Sequence, residues 1–361
     1  MGDPADPSAS GQPAPAPGNG RRRRTLVAAI AAVLLVLAVV VAAYVLGRPK
    51  TETAAPAGTA PPAETAAPAA TPTPTPTGSP EPPAVALNIL LVGSDSRGNF
   101  REEEAKAAAG GFADQRSDAL VLLHLPADRQ KAYGISIMRD LWVDIPGRGA
   151  SKINDALSFG GMPLVVRTVE ALLGAHIDHT VMMDFAGFKG LTDALGGIEV
   201  DVKRPFTSTH DSKHDFPAGV NQLNGAAALE FVRERKAFRD GDFQRVRNQQ
   251  SFLRSVLAKA VKDGALTSRD SVRQLVSTVL PYVWLDPGFT AQNLESLGLS
   301  LRSMGPENAV FFTLPTAGTG TSRDGQSIVL PDAAAIAAVA GALRENRLGE
   351  YVAANRLQGG N

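Results

Sequence analysis

The sequence predicts a single extracytoplasmic α/β domain, with a central mixed β-sheet flanked by helices, preceded by one transmembrane helix. Three observations predict it. Short apolar runs of strand length recur between turn residues, an amphipathic segment of helix length follows them, and one uncharged apolar stretch near the N-terminus is long enough to span a bilayer. The 361 residues hold 36 basic and 36 acidic side chains, so the whole chain lacks the basic excess that indicates nucleic-acid binding. Without cysteine, the chain has no disulfide, cysteine nucleophile or thiolate metal site.

The uncharged stretch is Thr25–Leu46, which contains 22 residues. About 20 apolar residues in a helix span the hydrocarbon core of a bilayer. Arg21–Arg24 precede it and outnumber the basic residues that follow at once, so the positive-inside rule places the N-terminus in the cytoplasm. A cleaved signal peptide would have a shorter apolar region of about 7–15 residues, although the small residues at the end of the stretch leave cleavage open. We therefore expect a single-pass plasma-membrane protein with its span at 25–47.

Two low-complexity segments flank that span. Residues 1–24 form a short tail of Pro, Gly, Ala and Ser before the arginines, which lacks the apolar residues for a core. Residues 48–84 are rich in Ala, Pro and Thr, a composition that favours an extended linker. The folded domain is therefore expected at 85–361, outside the membrane, and that length is ample for one α/β domain.

Three apolar runs predict the first strands of the sheet, at Val85–Gly93, Ala119–Leu125 and Ala132–Met138. A short turn joins the second and third runs, so these two strands are expected to be antiparallel neighbours. If the first strand pairs with either of them, the end of the first, the start of the second and the end of the third lie at one edge of the sheet.

Charged residues stand at that edge: Asp95, Asp118, Arg139 and Asp140. Carboxylates suit a hard divalent cation such as Mg²⁺ or Mn²⁺, and a guanidinium suits phosphate oxygens. Each of these residues taken alone fits an ordinary turn or surface charge equally well. Together they predict a site for a metal-bound phosphate.

A second group of charged residues lies on the amphipathic segment, which predicts a helix from Asp242 to about Val261. At 100° per residue, Arg245 and Gln249 share the stripe of the apolar core residues, whereas Arg247 and Arg254 fall on the opposite side. A charge on a buried stripe is costly unless it meets a partner. Arg245 is therefore expected to face a pocket, and Arg247 and Arg254 are expected to face solvent.

The order of the motifs resembles the LytR–CpsA–Psr family of cell-wall glycopolymer transferases over about 85–350. The motifs that carry the resemblance are Asn88–Arg97, Arg116-Ser117-Asp118, Ser136–Asp140, Lys152-Ile153-Asn154, Gly160-Gly161, Asp193–Gly197, Arg233-x-Arg235 and Asp242-x-x-Arg245-x-x-x-Gln249. Two departures are Met138, where the family usually has proline, and Asn248, where it has a basic residue. The segment between Asp95 and Asp118 is also longer than usual.

The resemblance implies a role for each matching residue. Asp95 and Asp118 would hold Mg²⁺, with Mn²⁺ as a possible substitute. The implied catalytic residues, which include the arginines that clamp a pyrophosphate, are Arg139, Asp140, Arg233, Arg235 and Arg245. The implied substrate-binding residues are Lys152, Asp242 and Gln249.

The resemblance also implies the reaction and the partners. A glycopolymer would pass from a polyprenyl-pyrophosphate carrier to a peptidoglycan hydroxyl through a phosphodiester bond, at the membrane and without nucleic acid. A pyrophosphatase that uses water as acceptor would need the same site, so the sequence leaves it open. A wall-binding protein without catalysis would have no need of the metal site, and a cytoplasmic regulator is opposed by the predicted topology.

Overall fold

A computed structural model of the chain describes residues 85–95, 106, 115–265, 267–301 and 304–360. The predicted tail at 1–24, span at 25–47 and linker at 48–84 lie outside the described residues. Among those that are described, the helix Asp155–Leu173 is long and apolar enough to cross a bilayer, but half of its apolar window is buried inside the domain. It is therefore a core helix of the α/β domain.

The described chain alternates strands with helices. The strands are β1 (Leu87–Ser94), β2 (Ser117–Leu125), β3 (Ala132–Ile137), β4 (Trp142–Ile145), β5 (Gly149–Lys152), β6 (His179–Met183), β7 (Ile198–Val202), β8 (Phe206–Thr207), β9 (Asp215–Phe216), β10 (Gly219–Leu223), β11 (Trp284–Leu285), β12 (Ala309–Thr313), β13 (Thr316–Thr321) and β14 (Ser327–Pro331). The helices are α1 (Asp155–Leu173), α2 (Phe185–Ala194), α3 (Gly225–Arg233), α4 (Asp242–Lys262), α5 (Arg269–Val279), α6 (Ala291–Ser300), α7 (Ala333–Arg344) and α8 (Leu348–Ala354).

The central sheet has the order β11-β6-β1-β2-β3-β12 within the described residues. β1 pairs antiparallel with β2, and β2 pairs antiparallel with β3. β6 is parallel to β1, and β12 is parallel to β3. The sheet is therefore mixed. The three strands predicted from the apolar runs are confirmed, as is the antiparallel pairing of the second with the third, and the first strand, whose partner the sequence left open, pairs with the second.

Side chains of β1 and β2 alternate between two cores, because successive residues of a strand point to opposite faces. Ile89 and Leu91 belong to the core that α2, α3, α4 and α5 cover, whereas Leu90 and Val92 belong to the core that α1 and α7 cover. Both faces of the sheet are thus buried. This explains why the strands are apolar without interruption instead of alternating with polar residues.

Helix α4 confirms the predicted segment and most of its predicted orientation. Arg245 is only 1% exposed, and Gln249 is buried too. The side chain of Arg247 is 37% exposed. The prediction that Arg254 faces solvent is wrong in part, because its guanidinium lies over the Phe311 ring and donates a 3.0 Å hydrogen bond to the Phe311 carbonyl. The middle of β12 covers this part of the helix, which a helical wheel has no means to show.

Candidate functional site

A cavity of about 380 Å³ opens at the edge of the sheet where β1 ends, β2 begins and β3 ends. The predicted convergence of charged residues at this edge is confirmed. The cavity is lined by Asp95, Arg116, Asp118, Arg139, Asp140, Lys152, Asn154, Asp155, Arg235, Asp242, Gln326 and Ser327.

The pairing of β1 with β2 brings the first two aspartates to the cavity. Ser94 lies opposite Ser117 in the register. Asp95, just after β1, and Asp118, the second residue of β2, therefore lie at the same end of this antiparallel pair. Two hydrogen bonds to the backbone of Arg116 hold Asp95 in place. The Asp95 N–H donates to the Arg116 carbonyl at 3.2 Å, and Asp95 Oδ1 accepts from the Arg116 N–H at 2.7 Å. The two carboxylates thus sit on rigid strand ends.

Arg139, at the end of β3, holds three carboxylates. Its Nη1 donates to Asp118 Oδ1 at 2.8 Å and its Nη2 donates to Asp242 Oδ2 at 3.4 Å, while its Nε lies 3.4 Å from Asp140 Oδ2. Burial by itself lowers the pKa of Arg139, but the three carboxylates outweigh burial and raise it above its ordinary value. Arg139 is therefore a permanent cation at the floor of the cavity.

Asp242, in the first turn of α4, contacts two guanidinium groups besides that of Arg139. Arg245 Nη1 lies 3.2 Å from Asp242 Oδ1, and Arg235 Nη1 lies 3.6 Å from Asp242 Oδ2. Burial raises the pKa of Asp242, but Arg245, Arg139 and Arg235 outweigh burial and lower the pKa to about 2. We call Arg139, Arg235, Arg245 and the carboxylate they share the arginine cluster.

Arg245 has more donors than the protein uses. Its side chain is buried, and among the described residues its Nε has no hydrogen-bond partner. Burial and then the nearby Arg139 lower its pKa to about 10, so it still carries a full charge at neutral pH. A buried cation with an unpartnered N–H is costly, and the Asp242 carboxylate, which does line the cavity, offsets part of that cost.

Lys152, at the end of β5, is another basic side chain that lines the cavity, and it contacts Asp140. Its Nζ lies 3.1 Å from Asp140 Oδ1. Asp140 therefore lies between Lys152 and Arg139.

Three residues predicted for the site lie behind the cavity wall. Arg245 is one of them: it contacts Asp242, which lines the cavity, but Arg245 itself does not line it. The other two are Arg233 and Gln249. The guanidinium of Arg233 lies over the Phe185 ring, 4.8 Å from its centroid. Gln249 is buried and its Nε2 donates to the Val232 carbonyl at 3.3 Å, which ties α4 to α3. Neither lines the cavity, so their predicted contacts with a substrate stay predictions.

The cavity also contains side chains that the sequence did not assign to a site. Arg116 and Asp155 face each other across its rim, with 3.8 Å between Nε and Oδ1. Gln326 and Ser327 come from the β13–β14 hairpin, which is fixed beside β3 by a hydrogen bond from the Val329 N–H to the Asp140 carbonyl at 2.8 Å. The position of Arg116 in the Arg116-Ser117-Asp118 motif could have indicated that it belongs to the site.

The donor set fits a hard divalent cation that keeps most of its ligands outside the protein. The described residues contain no group of three or more His, Cys, Asp or Glu side chains arranged to hold a metal ion. Mg²⁺, however, is usually bound through one or two carboxylates together with substrate phosphates and water. Asp95 and Asp118 supply such a pair at the cavity.

Curated relatives with similar sequences are cell-wall proteins. "Probable cell wall biosynthesis protein LcpB" of Corynebacterium glutamicum is 33% identical over 217 residues, 60% of this chain and 52% of that protein. "Cell wall biosynthesis protein LcpA" of the same organism is 30% identical over 280 residues, 68% of this chain and 53% of that protein. "Polyisoprenyl-teichoic acid–peptidoglycan teichoic acid transferase TagU" of Bacillus cereus is 36% identical over 187 residues, 52% of this chain and 56% of that protein. The chain thus spans about half the length of the curated relatives it matches.

Solved structures share the fold. B. subtilis TagV superposes with a TM-score of 0.62 at 24% identity, over 73% of this chain and 98% of that one. TagT bound to LIIa-WTA superposes with a TM-score of 0.55 at 26% identity, over 76% of this chain and 94% of that one. The LytR_cpsA_psr family matches residues 63–345. With the ordered motifs on the strand ends and helices that build this cavity, that match shows that the chain belongs to the LytR_cpsA_psr family.

Proposed function

We propose that the chain is a phosphotransferase that moves a glycopolymer from a polyprenyl-pyrophosphate carrier onto a hydroxyl of peptidoglycan, through a phosphodiester bond. The name of the B. cereus relative supports the class of reaction, since it is a teichoic acid transferase that acts between a polyisoprenyl-linked polymer and peptidoglycan. The structure of TagT bound to LIIa-WTA supports a polymer-linked ligand for this fold.

The observation that carries the proposal is the arginine cluster. Three guanidinium groups surround the Asp242 carboxylate, and two of them, Arg139 and Arg235, line the cavity with it. Among the described residues, the Nε of the buried Arg245 has no hydrogen-bond partner. A planar guanidinium matches two phosphate oxygens at once, which an ammonium group does not. A pyrophosphate therefore suits this cavity better than a neutral sugar does.

Asp95 and Asp118 are the proposed ligands of Mg²⁺, for which Mn²⁺ is a substitute. When bound, the cation would neutralise charge on the phosphate oxygens. Positioning and charge neutralisation provide most of the catalysis of phosphoryl transfer, so the arginine cluster needs no covalent step. It holds the pyrophosphate and stabilises the negative charge that develops on the leaving phosphate.

In the proposed reaction, the acceptor oxygen bonds to the phosphorus that carries the glycopolymer. The bond from this phosphorus to the bridging oxygen breaks, and polyprenyl phosphate leaves with the electron pair. The proton of the acceptor hydroxyl passes to a carboxylate, for which Asp118 and Asp140 are the candidates. Both line the cavity, and Arg139 contacts both.

The carrier lipid and the acceptor both require the domain to work at the outer face of the membrane. We propose that Thr25–Leu46 anchors the chain there, with the N-terminus in the cytoplasm. Protease added to intact protoplasts is expected to remove the domain that follows Leu46. Protection of the domain would contradict this orientation.

The function is tested by incubating the full chain with a polyprenyl-pyrophosphate oligosaccharide, Mg²⁺ and a peptidoglycan fragment. Transfer predicts a phosphodiester-linked product. Release of the sugar phosphate alone would instead identify a hydrolase, and binding of the donor without any product would identify a wall-binding protein. An assay without divalent cation is the control for the metal.

A further inference from the structure

Glu234 stands between the two arginines of the Arg233-Glu234-Arg235 motif, and its side chain is 0% exposed. Helix α3 ends at Arg233, and Glu234 is its C-cap, with extended backbone angles. Glu234 does not line the cavity, and its carboxylate is enclosed by the protein. A buried carboxylate needs partners, because its desolvation is costly.

Four donors satisfy this carboxylate. The Thr209 N–H and hydroxyl donate to it, at 2.5 Å and 3.0 Å to Oε2. The N–H groups of Arg235 and Ala237 donate to Oε1 at 2.9 Å and 3.0 Å. An ionised carboxylate accepts about four hydrogen bonds, so Glu234 is saturated. Burial raises its pKa, but the hydrogen bonds from Thr209 and Ala237 outweigh burial and lower it, so Glu234 is ionised at neutral pH.

Two of those donors lie on the residues that carry Arg235 toward the cavity. After α3 ends, the following N–H groups lie outside the hydrogen-bond ladder of the helix, so other acceptors set the direction of the chain. The Glu234 carboxylate is the acceptor for Arg235 and Ala237. It also fastens them, through Thr209, to the loop between β8 and β9. The backbone on both sides of Arg235 is thus held from behind.

The two arginines consequently diverge. The Arg233 guanidinium lies over Phe185, whereas Arg235 Nη1 lies 3.6 Å from Asp242 in the cavity. We propose that Glu234 is a positioning residue: it fixes the backbone of Arg235 so that this guanidinium joins the arginine cluster. That its target is a pyrophosphate rests on the proposed function.

Glu230, one turn earlier on α3, is the matched control. Its carboxylate is also buried and also fastens the β8–β9 loop, by accepting from the Ser212 N–H at 2.9 Å and the His214 N–H at 3.3 Å. The hydrogen bonds of its carboxylate involve neither Arg235 nor Ala237. A merely structural role in holding the loop is common to both glutamates, but the contact with Arg235 belongs to Glu234.

The first measurement is amide hydrogen exchange of the full chain, in Glu234→Ala, Glu234→Gln and Glu230→Gln. Glu234→Ala is expected to accelerate exchange at Arg235 and Ala237 at least tenfold. Glu234→Gln keeps one acceptor oxygen, so it is expected to give a smaller acceleration of exchange at the same two residues. It also provides a test if Glu234→Ala does not fold. Glu230→Gln is expected to accelerate exchange at Ser212 and His214 only. Unchanged exchange at Arg235 and Ala237 in both Glu234 variants would overturn the proposal.

The second measurement is binding of inorganic pyrophosphate with Mg²⁺ by calorimetry. Glu234→Ala and Arg235→Ala are each expected to weaken binding about tenfold, and the double variant no further, because one residue acts through the other. Glu230→Gln is expected to stay within twofold of the unsubstituted chain. If Arg235→Ala weakens binding and Glu234→Ala does not, the positioning role is refuted. If the unsubstituted chain does not bind pyrophosphate, the proposed function fails, while the exchange data still decide whether Glu234 holds Arg235.

Discussion

Arg235 joins two clusters of carboxylates whose hydrogen-bond partners are of opposite kinds. Its N–H donates to Glu234, and its guanidinium faces Asp242. Glu230 and Glu234 accept hydrogen bonds mainly from backbone N–H groups of loops. Asp118, Asp140 and Asp242 instead meet the side chains of Arg139, Lys152, Arg235 and Arg245.

The two clusters differ in whether hydrogen-bonding groups remain for a ligand. A backbone N–H has one hydrogen to donate, and the four donors around Glu234 leave no lone pair for a ligand. An arginine has five N–H hydrogens, and in the second cluster the Nε of Arg245 has no hydrogen-bond partner among the described residues. The first cluster therefore serves folding, whereas the second has unused donors that an anion would satisfy. The predictions below test this contrast, from the largest expected effect to the smallest.

Asp242→Asn is expected to destabilise the chain most. It removes the charge that three guanidinium groups share, and removing one partner of a buried ion pair costs about 3–5 kcal/mol. The measurement is the free energy of unfolding from urea titration. Asp263→Asn is the matched control near the other end of α4, where an exposed pair with Lys259 contributes less than about 1 kcal/mol. Equal losses in the two variants would show that the arginine cluster does not depend on Asp242.

Arg245→Lys is expected to slow transfer roughly ten- to hundredfold. It keeps the charge but loses the planar fork, and a hydrogen bond to a charged group is worth about 1.5–3 kcal/mol. Arg247→Lys, two residues away and half exposed, is expected to stay near the unsubstituted rate. Both variants are first checked for folding by circular dichroism. Equal rates in two folded variants would remove Arg245 from the proposed clamp.

Acid is expected to weaken the two clusters in different pH ranges. The pKa of Asp242 is lowered to about 2 in the folded chain, below its ordinary value of 3.8. The ionised Asp242 therefore adds about 2 kcal/mol to the free energy of unfolding above pH 4, and this contribution is lost as the pH falls from about 4 to about 2. The measurement is the free energy of unfolding against pH, with Asp242→Asn as the comparison. The same acid dependence in that variant would contradict the assignment.

The glutamate cluster is expected to respond first as the pH falls. The pKa values of Glu230 and Glu234 are also lowered, from an ordinary value of 4.5: burial raises them, and the hydrogen bonds from the loop outweigh burial. The contribution of the two ionised glutamates to the free energy of unfolding is therefore lost as the pH falls below about 4.5. In Glu234→Gln the part of the acid loss that begins there should be smaller. An unchanged curve would mean that Glu234 does not titrate with folding.

Asp95→Asn and Asp118→Asn are expected to raise the Mg²⁺ concentration for half-maximal rate by about fivefold, or about 1 kcal/mol. Each keeps the shape of the side chain and removes one negative charge. The measurement is the rate of transfer against Mg²⁺ concentration. Asp144→Asn, on the exposed side of β4, is the control and should leave the curve unchanged. Unchanged metal dependence in both cavity variants would leave Asp95 and Asp118 as strand-end residues.

Local patterns in the sequence were sufficient for the parts of the site that lie on regular elements. The antiparallel order of the first strands placed Asp95, Asp118 and Arg139 at one edge, and the helical period placed Arg245 on the buried stripe. Both are consequences of backbone geometry, with periods of 2.0 and 3.6 residues. Arg254 marks the limit of this approach, because a helical wheel shows which face a residue occupies but not which distant strand covers that face.

The sequence by itself determined the α/β character, the edge at which the charges meet and the burial of Arg245, because apolar periodicity is a local property, whereas the role of Arg235 was implied by the family resemblance alone. Only the tertiary structure decided that Gln326 and Ser327 enter the cavity, that Arg233 turns to Phe185, and that Glu234 holds the chain beside Arg235. These contacts join segments far apart along the chain, or depend on where a helix ends against a loop. Packing of the whole domain sets such distances, and no pattern within one segment encodes them.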